Sequence, residues 1–227
     1  MDIFEAIENR HSVRRYLDKK IPDDIIEILN REIYNCNVEG ALNIQLICNR
    51  PEAFQGIKAS YGKLQNVNNY IALVGKKSNT LDYRVGYYGE RIVIKAQQLG
   101  LNTCWLGGTY SKRKAVCEIG EGEELRLVIA IGYGQTQGHT RRSKTVEDVA
   151  CVYEKTPMPE WFIKGVECAL KAPTAINQQK FNFTLWRNRL IKARSGSGFF
   201  SKVDLGIAMY HFELGAGFKN FTFIDVK

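Results

Sequence analysis

Histidine, tryptophan, methionine and proline are scarce in this 227-residue chain, with three, three, three and five copies. His11, His139 and His211 show no spacing that suits a catalytic triad or a metal cluster, so no metal ligand set is expected. The six cysteines stand at 36, 48, 104, 117, 151 and 168, with no Cys-x-x-Cys pair. That excludes a disulfide framework or a zinc ribbon as the expected reading and points to reduced thiols. No apolar run of about 18 residues occurs, so no membrane-spanning helix is expected. Met1-Asp2-Ile3-Phe4-Glu5 lacks the basic-then-apolar order of a secretory leader, and the expected location is cytoplasmic. The net charge is +8, yet lysine and arginine are spread along the chain with no basic stripe interleaved with aromatics. A nucleic-acid-binding module is therefore only a rival reading, and the charge also suits an anionic small molecule.

The residues present are enough for a core. Hydrophobic residues make up 44% and charged residues 25%, which suits one large domain or two closely packed halves. Ile3, Phe4 and Ile7 share a helical face, so residues 2–9 form a short helix. A second helix starts near Pro22, with Asp23 and Asp24 at its positive end and Ile25, Ile26, Ile28, Leu29 and Ile33 on its apolar side. Residues 43–48 and 70–75 read as strands. Residues 82–99 read as a long helix closed by Gly100 at C′. Leu125-Arg126-Leu127-Val128-Ile129-Ala130-Ile131-Gly132 is nearly all apolar, the mark of a central strand buried on both faces. Residues 135–144 are polar and basic, and Val146–Val149 forms a helical turn. Pro157 and Pro159 mark a linker. Beyond it, helix 160–171, strand 181–186, helix 203–215 and strand 221–226 are expected. The second part echoes the first in element order. Gly89 and Gly100 bracket one helix, and Gly206 and Gly217 another, both at a spacing of eleven. Plain alternation of helix and strand would give the same order.

Four segments carry chemistry. Arg10-His11-Ser12-Val13-Arg14-Arg15 gathers forked cationic donors, a hydroxyl and an imidazole, which is the donor set a phosphate dianion needs; a solvated basic turn has the same composition. Thr103-Cys104-Trp105-Leu106-Gly107-Gly108-Thr109 holds two adjacent glycines whose backbone can approach a flat ligand, or which simply turn. Arg141-Arg142-Ser143-Lys144 offers more cations, either for the same phosphate or for solvent. In Ala172-Pro173-Thr174-Ala175-Ile176-Asn177-Gln178-Gln179-Lys180-Phe181-Asn182-Phe183, Thr174 and Asn177 can hydrogen-bond a heteroaromatic edge or a polyol, or merely connect helix to strand.

Together these segments resemble the nitroreductase superfamily of FMN-dependent oxidoreductases. Arg10, Ser12 and Arg14 match its Arg-x-Ser-x-Arg phosphate motif, and Ile21-Pro22 before an apolar helix matches the segment that usually comes next. Leu99 to Gly108 resembles its Leu-Gly-Leu-Gly-Thr-Cys-Trp-Ile-Gly segment. Ile131-Gly132-Tyr133-Gly134 with Arg142, Lys144 and Val146–Val149 resembles its last strand and cationic tail. Residues 172–183 resemble Ala-Pro-Ser-x-x-Asn-x-Gln-Pro-Trp-x-Phe, with Thr174, Lys180 and Phe181 substituted and Asn177 and Gln179 kept. The order is unusual, because that last motif normally comes soon after the second helix, where this chain has Tyr34-Asn35-Cys36-Asn37-Val38-Glu39-Gly40.

The resemblance implies an α+β fold, a central mixed β-sheet flanked by helices. It implies two pseudo-repeated halves, 1–156 and 157–227, packed as one intramolecular pseudo-dimer. It also implies one FMN per chain. Arg10, His11, Ser12, Arg14, Trp105, Leu106, Gly107, Gly108, Arg142 and Lys144 of the first half would hold it, with Pro173, Thr174, Ala175 and Asn177 of the second. Phe221-Thr222-Phe223 stands where a second glycine loop would be. The implied reaction is hydride transfer from NAD(P)H through FMN to a small acceptor such as a nitroaromatic or quinone. No membrane or nucleic acid is involved, and the chain is a monomer or homodimer. The alternative is a flavin-binding sensor or carrier without nicotinamide turnover. Lys180 is a candidate for the flavin N1 side, and Tyr87 and Tyr88 either border the substrate or join the core.

Overall fold

The computed structural model describes residues 1–154 and 156–226. The chain divides into two compact units. The first holds Met1–Leu81 and Arg91–Thr140, and the second Asp82–Glu90 and Arg141–Lys227. This division falls at Thr140 rather than 156, and it assigns a short piece of the long helix to the second unit. Arg142 and Lys144 fall in the same unit as the Pro173–Asn177 segment.

In the first unit, helix α1 (Ile3–Asn9) is capped by Asp2, whose carboxylate accepts from the Phe4 and Glu5 N–H groups. Helix α2 (Asp23–Gly40) starts after Pro22 as expected and buries Leu29, Ile33 and Cys36. Ile28 departs from the expected apolar side and is exposed, because it lies off the Leu29–Ile33–Cys36 stripe. The helix runs through Tyr34–Gly40, so that stretch is regular helix here. Strand β1 (Gln45–Ile47), helix α3 (Ile57–Tyr61) and strand β2 (Asn69–Lys76) follow. The long helix α4 (Leu81–Gln98) stops at Gly100, whose φ of +79° is the left-handed conformation expected of a C′ glycine. Gly89 lies inside this helix rather than bracketing it. Strands β3 (Asn102–Leu106) and β4 (Glu123–Gly132) complete a four-stranded sheet in the order β1-β2-β4-β3, antiparallel throughout. Strand β4 is central and buried along its apolar run, as its composition requires.

One face of this sheet carries Tyr70, Ala72, Val74, Cys104, Leu106, Val128 and Ala130, and Val13 and Tyr16 join that apolar cluster. Alternation buries Ile71, Leu73, Ile129 and Ile131 as well, so the sheet is covered on both sides. Arg91 ties α4 to α2 through Glu32 at 2.5 Å and Glu39 at 2.7 Å.

In the second unit, α5 (Val146–Val149) begins with a Thr145/Asp148 capping box. Then come β5 (Ala150–Val152), α6 (Glu160–Leu170), β6 (Phe181–Leu185), β7 (Leu190–Ser195), α7 (Ser201–Ala216) and β8 (Thr222–Ile224). Strand β7 is additional to the elements expected from sequence. Its cationic Lys192 and Arg194 hide a period of two in which Ile191 and Ala193 are buried. The sheet order is β5-β6-β7-β8, with outer pairs parallel and the central pair antiparallel. Phe212 centres its core, 4.6 Å from Phe183 and 5.0 Å from Phe221 between ring centroids. The Phe221-Thr222-Phe223 stretch thus supplies core aromatics rather than a ligand loop.

The two series α2-β1-α3-β2-α4-β3 and α6-β6-β7-α7-β8 share helices and strands in alternation, but α3 between β1 and β2 has no counterpart among the α-helices of the second. The sheets differ: β8 pairs parallel with β7, where antiparallel β4 pairs with β2. The strands form an antiparallel and a mixed sheet flanked by helices, an α+β architecture. Among the described residues no helix is long and apolar enough to cross a membrane.

Candidate functional site

The Arg10–Arg14 segment is extended backbone anchored from its own middle. Val13 is buried in the sheet's apolar cluster, a burial worth about 1.5–3 kcal/mol. Its N–H donates to Thr103 O at 3.0 Å, and Ser12 bridges Thr103 in parallel. Extended chain alternates, so Ser12 and Arg14 flank the buried Val13 and are half-exposed. The Arg14 carbonyl accepts from Gln65 N at 3.0 Å. Arg10 is buried at the end of α1, its N–H donating to Ala6 O. The Tyr16 hydroxyl donates to Val13 O at 2.7 Å and closes the turn.

The Ser12–Thr103 bridge sets this segment at the start of β3, which leads directly to Trp105, Leu106, Gly107 and Gly108. Trp105 pairs with Ile129 and Leu106 with Val128. Gly108 is exposed, and a β-carbon there would meet nothing within 4 Å. The loop after β4 joins the same end. Gly134 N donates to Asn102 Oδ1 at 2.9 Å, and Asn102 Nδ2 donates to Gln137. A β-carbon on Gly138 would lie 2.6 Å from the His11 β-carbon, so this loop packs directly on His11. Burial, then the charges of Arg10 and His139, holds the His11 imidazole below its usual pKa.

In the second unit, the predicted residues come together around a side chain that sequence reasoning does not mark as a ligand. Gln179 is 3% exposed. Its Nε2 donates to Ser143 Oγ at 3.0 Å and Leu170 O at 2.9 Å, and its Oε1 accepts from Lys144 N at 2.9 Å. Lys144 Nζ donates to Gln179 O at 2.8 Å, and Gln179 N to Thr174 Oγ1 at 3.0 Å. Asn177 Nδ2 donates to Arg142 O at 2.8 Å. Arg142, Lys144, Thr174 and Asn177 are thus one hydrogen-bonded knot. The retained Gln of the motif is the signal that marks its centre.

The loop itself is strained. Ile176, Asn177 and Gln179 have φ of 49°, 58° and 44°. Asn tolerates this, but an 88%-exposed β-branched Ile does not do so freely. Such residues cost about 1–3 kcal/mol each and concentrate at functional sites. Asp204, in the first turn of α7, accepts from Ala175 N at 2.9 Å and Gln178 Nε2 at 2.7 Å. Burial raises its carboxyl to about 6 against the pull of those two bonds.

Other candidates are used elsewhere. Lys180 Nζ donates to Ser197 O at 2.8 Å. The Tyr87 hydroxyl donates to Glu213, and its ring packs on Tyr88 and Tyr210. His211 is fully buried 2.9 Å from Glu90.

This α+β arrangement is that of nitroreductase-type proteins. A crystal structure described as a putative nitroreductase from Thermotoga maritima matches with TM-score 0.70 at 24% identity, covering 100% of this chain and 90% of that one. One described as a putative nitroreductase in complex with FMN, from Desulfovibrio desulfuricans, gives 0.51 at 16%, covering 70% and 99%. A nitroreductase family protein from Streptococcus pneumoniae gives 0.53 at 14%, covering 65% and 98%. Among curated proteins no match is found. The chain belongs to the family described as "Putative TM nitroreductase", whose model matches residues 2–216.

Proposed function

We propose that this chain is an FMN-dependent oxidoreductase, taking hydride from NAD(P)H and passing it to a small acceptor of nitroaromatic or quinone type. The observation that carries the reading is the Ser12–Thr103 bridge. It aligns Arg10, Ser12 and Arg14 with the strand that runs into Gly107 and Gly108. Forked guanidinium donors and a hydroxyl fit a phosphate, and open backbone at Gly108 fits the approach of a flat ring. The FMN-bound relative from Desulfovibrio desulfuricans adds support.

In this reading Arg10, Ser12 and Arg14 bind the phosphate, and His11 donates to it. The Trp105–Gly108 backbone offers N–H groups to the ring system. Arg142 and Lys144 contribute positive charge, and Pro173, Thr174, Ala175 and Asn177 contribute contacts to the ring and its polyol. Bound FMN supplies the hydride acceptance and onward delivery, chemistry that no side chain here performs. We propose one FMN per chain, because residues 157–227 hold no Arg-x-Ser-x-Arg motif and no Gly-Gly stretch of their own, within a chain of two fused pseudo-repeated halves, monomeric or homodimeric, in the cytoplasm.

Purified protein should be yellow and release FMN on denaturation. Arg10→Ala with Arg14→Ala should abolish flavin retention; stoichiometric FMN in that variant would refute the phosphate assignment. Anaerobic NADH or NADPH should bleach the bound flavin. Flavin that stays oxidised would instead favour a carrier or sensor.

A further inference from the structure

We infer that Asp204 is a positioning residue that holds the Pro173–Gln179 loop in its left-handed conformation, and thereby sets how well that loop receives flavin. Its link to flavin rests on the FMN reading of the site.

The geometry is a carboxylate bridge across the bend. Ala175 N lies 2.9 Å from Oδ1 and 3.1 Å from Oδ2, before Ile176 and Asn177 turn left-handed. Gln178 Nε2 donates to Oδ2 at 2.7 Å, just after the turn. The carboxylate thus grips both sides of the two residues with positive φ. Gln178 is itself fixed, because its Nε2 also donates to Phe199 O at 2.9 Å. Asp204 is 3% exposed and sits in the first turn of α7, where the helix dipole favours a negative charge. Water therefore cannot readily replace the bridge. A buried carboxylate is costly to desolvate unless hydrogen bonds compensate it. Here it joins two donors, which an amide cannot do without turning its own NH₂ toward one of them. Asn177 and Thr174, on this loop, also set the Arg142 and Gln179 bonds, so loosening the bridge loosens the whole knot.

The test uses full-length protein with Asp204→Asn, Gln178→Ala and the double variant, with added FMN as probe. The measurements are FMN titration, the visible spectrum of the bound flavin and amide hydrogen exchange at Ala175. Each single variant should raise the FMN dissociation constant about tenfold, the scale of one charge-assisted hydrogen bond. The double variant should lose little more than either single, because both act on one bridge. Ala175 exchange should rise, with the bound-flavin spectrum shifted. Wild-type FMN affinity in Asp204→Asn overturns the proposal, whether or not exchange changes, and so do additive losses in the double variant. If the wild-type protein binds no FMN, the flavin reading fails instead. Exchange at Ala175 then still decides whether Asp204 holds the loop, and unchanged exchange refutes that too.

Discussion

Replacing Gln179 with alanine tests whether the knot in the second unit is a device or an ornament. Three side-chain hydrogen bonds would vanish: two donated to Ser143 Oγ and Leu170 O, and one accepted from Lys144 N. At about 0.5–1.5 kcal/mol net each, their loss costs between about 1.5 and 4.5 kcal/mol. Ser143 and Lys144 are exposed, so water repairs part of the loss there. The Leu170 carbonyl is repaired less easily, because its partner is a 3%-exposed side chain. The expected net loss is about 2 kcal/mol, a melting temperature lower by about 4–8 °C for a chain of this size. Amide exchange at Lys144 should accelerate in the folded protein, and FMN affinity should fall with it. A variant with wild-type urea midpoint and unchanged Lys144 exchange would show that Gln179 merely fills space.

Gly206→Ala has a sign that separates packing from propensity. Helix propensity alone would stabilise it by about 1 kcal/mol. A β-carbon there would run into Tyr83 O and lie 2.9 Å from Tyr87 N, both backbone. Overpacking of this kind costs about 1–3 kcal/mol or more, so thermal unfolding should shift downward; an upward shift refutes the close approach. Asp204 predicts a pH dependence. Its folded pKa of about 6 exceeds the ordinary value of 3.8, so the stability tied to the protonated form is full below pH ~4 and lost as pH rises through ~6, up to about 3 kcal/mol in all. The stability difference between wild type and Asp204→Asn, followed by urea unfolding from acid to neutral pH, should trace that loss, and a flat difference contradicts it. His11 should titrate below 6.5 in the free protein and move upward when inorganic phosphate or FMN is added. NMR of the ring protons reads this directly, and a downward move would argue against an anion beside it.

Much of this molecule is legible from residue patterns because several signals agree locally. Pro22 and Gly100 mark helix ends by conformational preferences that need no tertiary help. Strand β4 declares itself by an unbroken apolar run. The features that escape are decided at a distance. Strand β7 interleaves cations with its buried residues and is recognisable only through its pairing with Phe181–Leu185. Asp204 looks like an ordinary acidic residue in a first helical turn, and nothing local says that Ala175 and Gln178 will find it. Gly86, which the residue pattern does not single out, is the glycine that Val203 and Gly206 approach closely. The hydrogen bonds that tie Arg142 and Lys144 to Thr174–Gln179 have no local signal, because the two segments lie about 35 residues apart.

The division of α4 has a consequence for how the chain is made. Asp82–Glu90 belongs to the second unit, although Arg91–Gln98 and everything before Asp82 belongs to the first. Its packing partner Gly206 lies 120 residues downstream of Gly86. No single cut in the chain releases an intact second unit. On the ribosome, the first two turns of α4 emerge long before the helix they pack against has been synthesised. Contacts of such long sequence separation slow folding, since loop closure precedes any gain. Helix α7, synthesised long after α4, therefore completes an element far upstream of it, and a truncation that removes α7 unmakes structure more than a hundred residues before the cut.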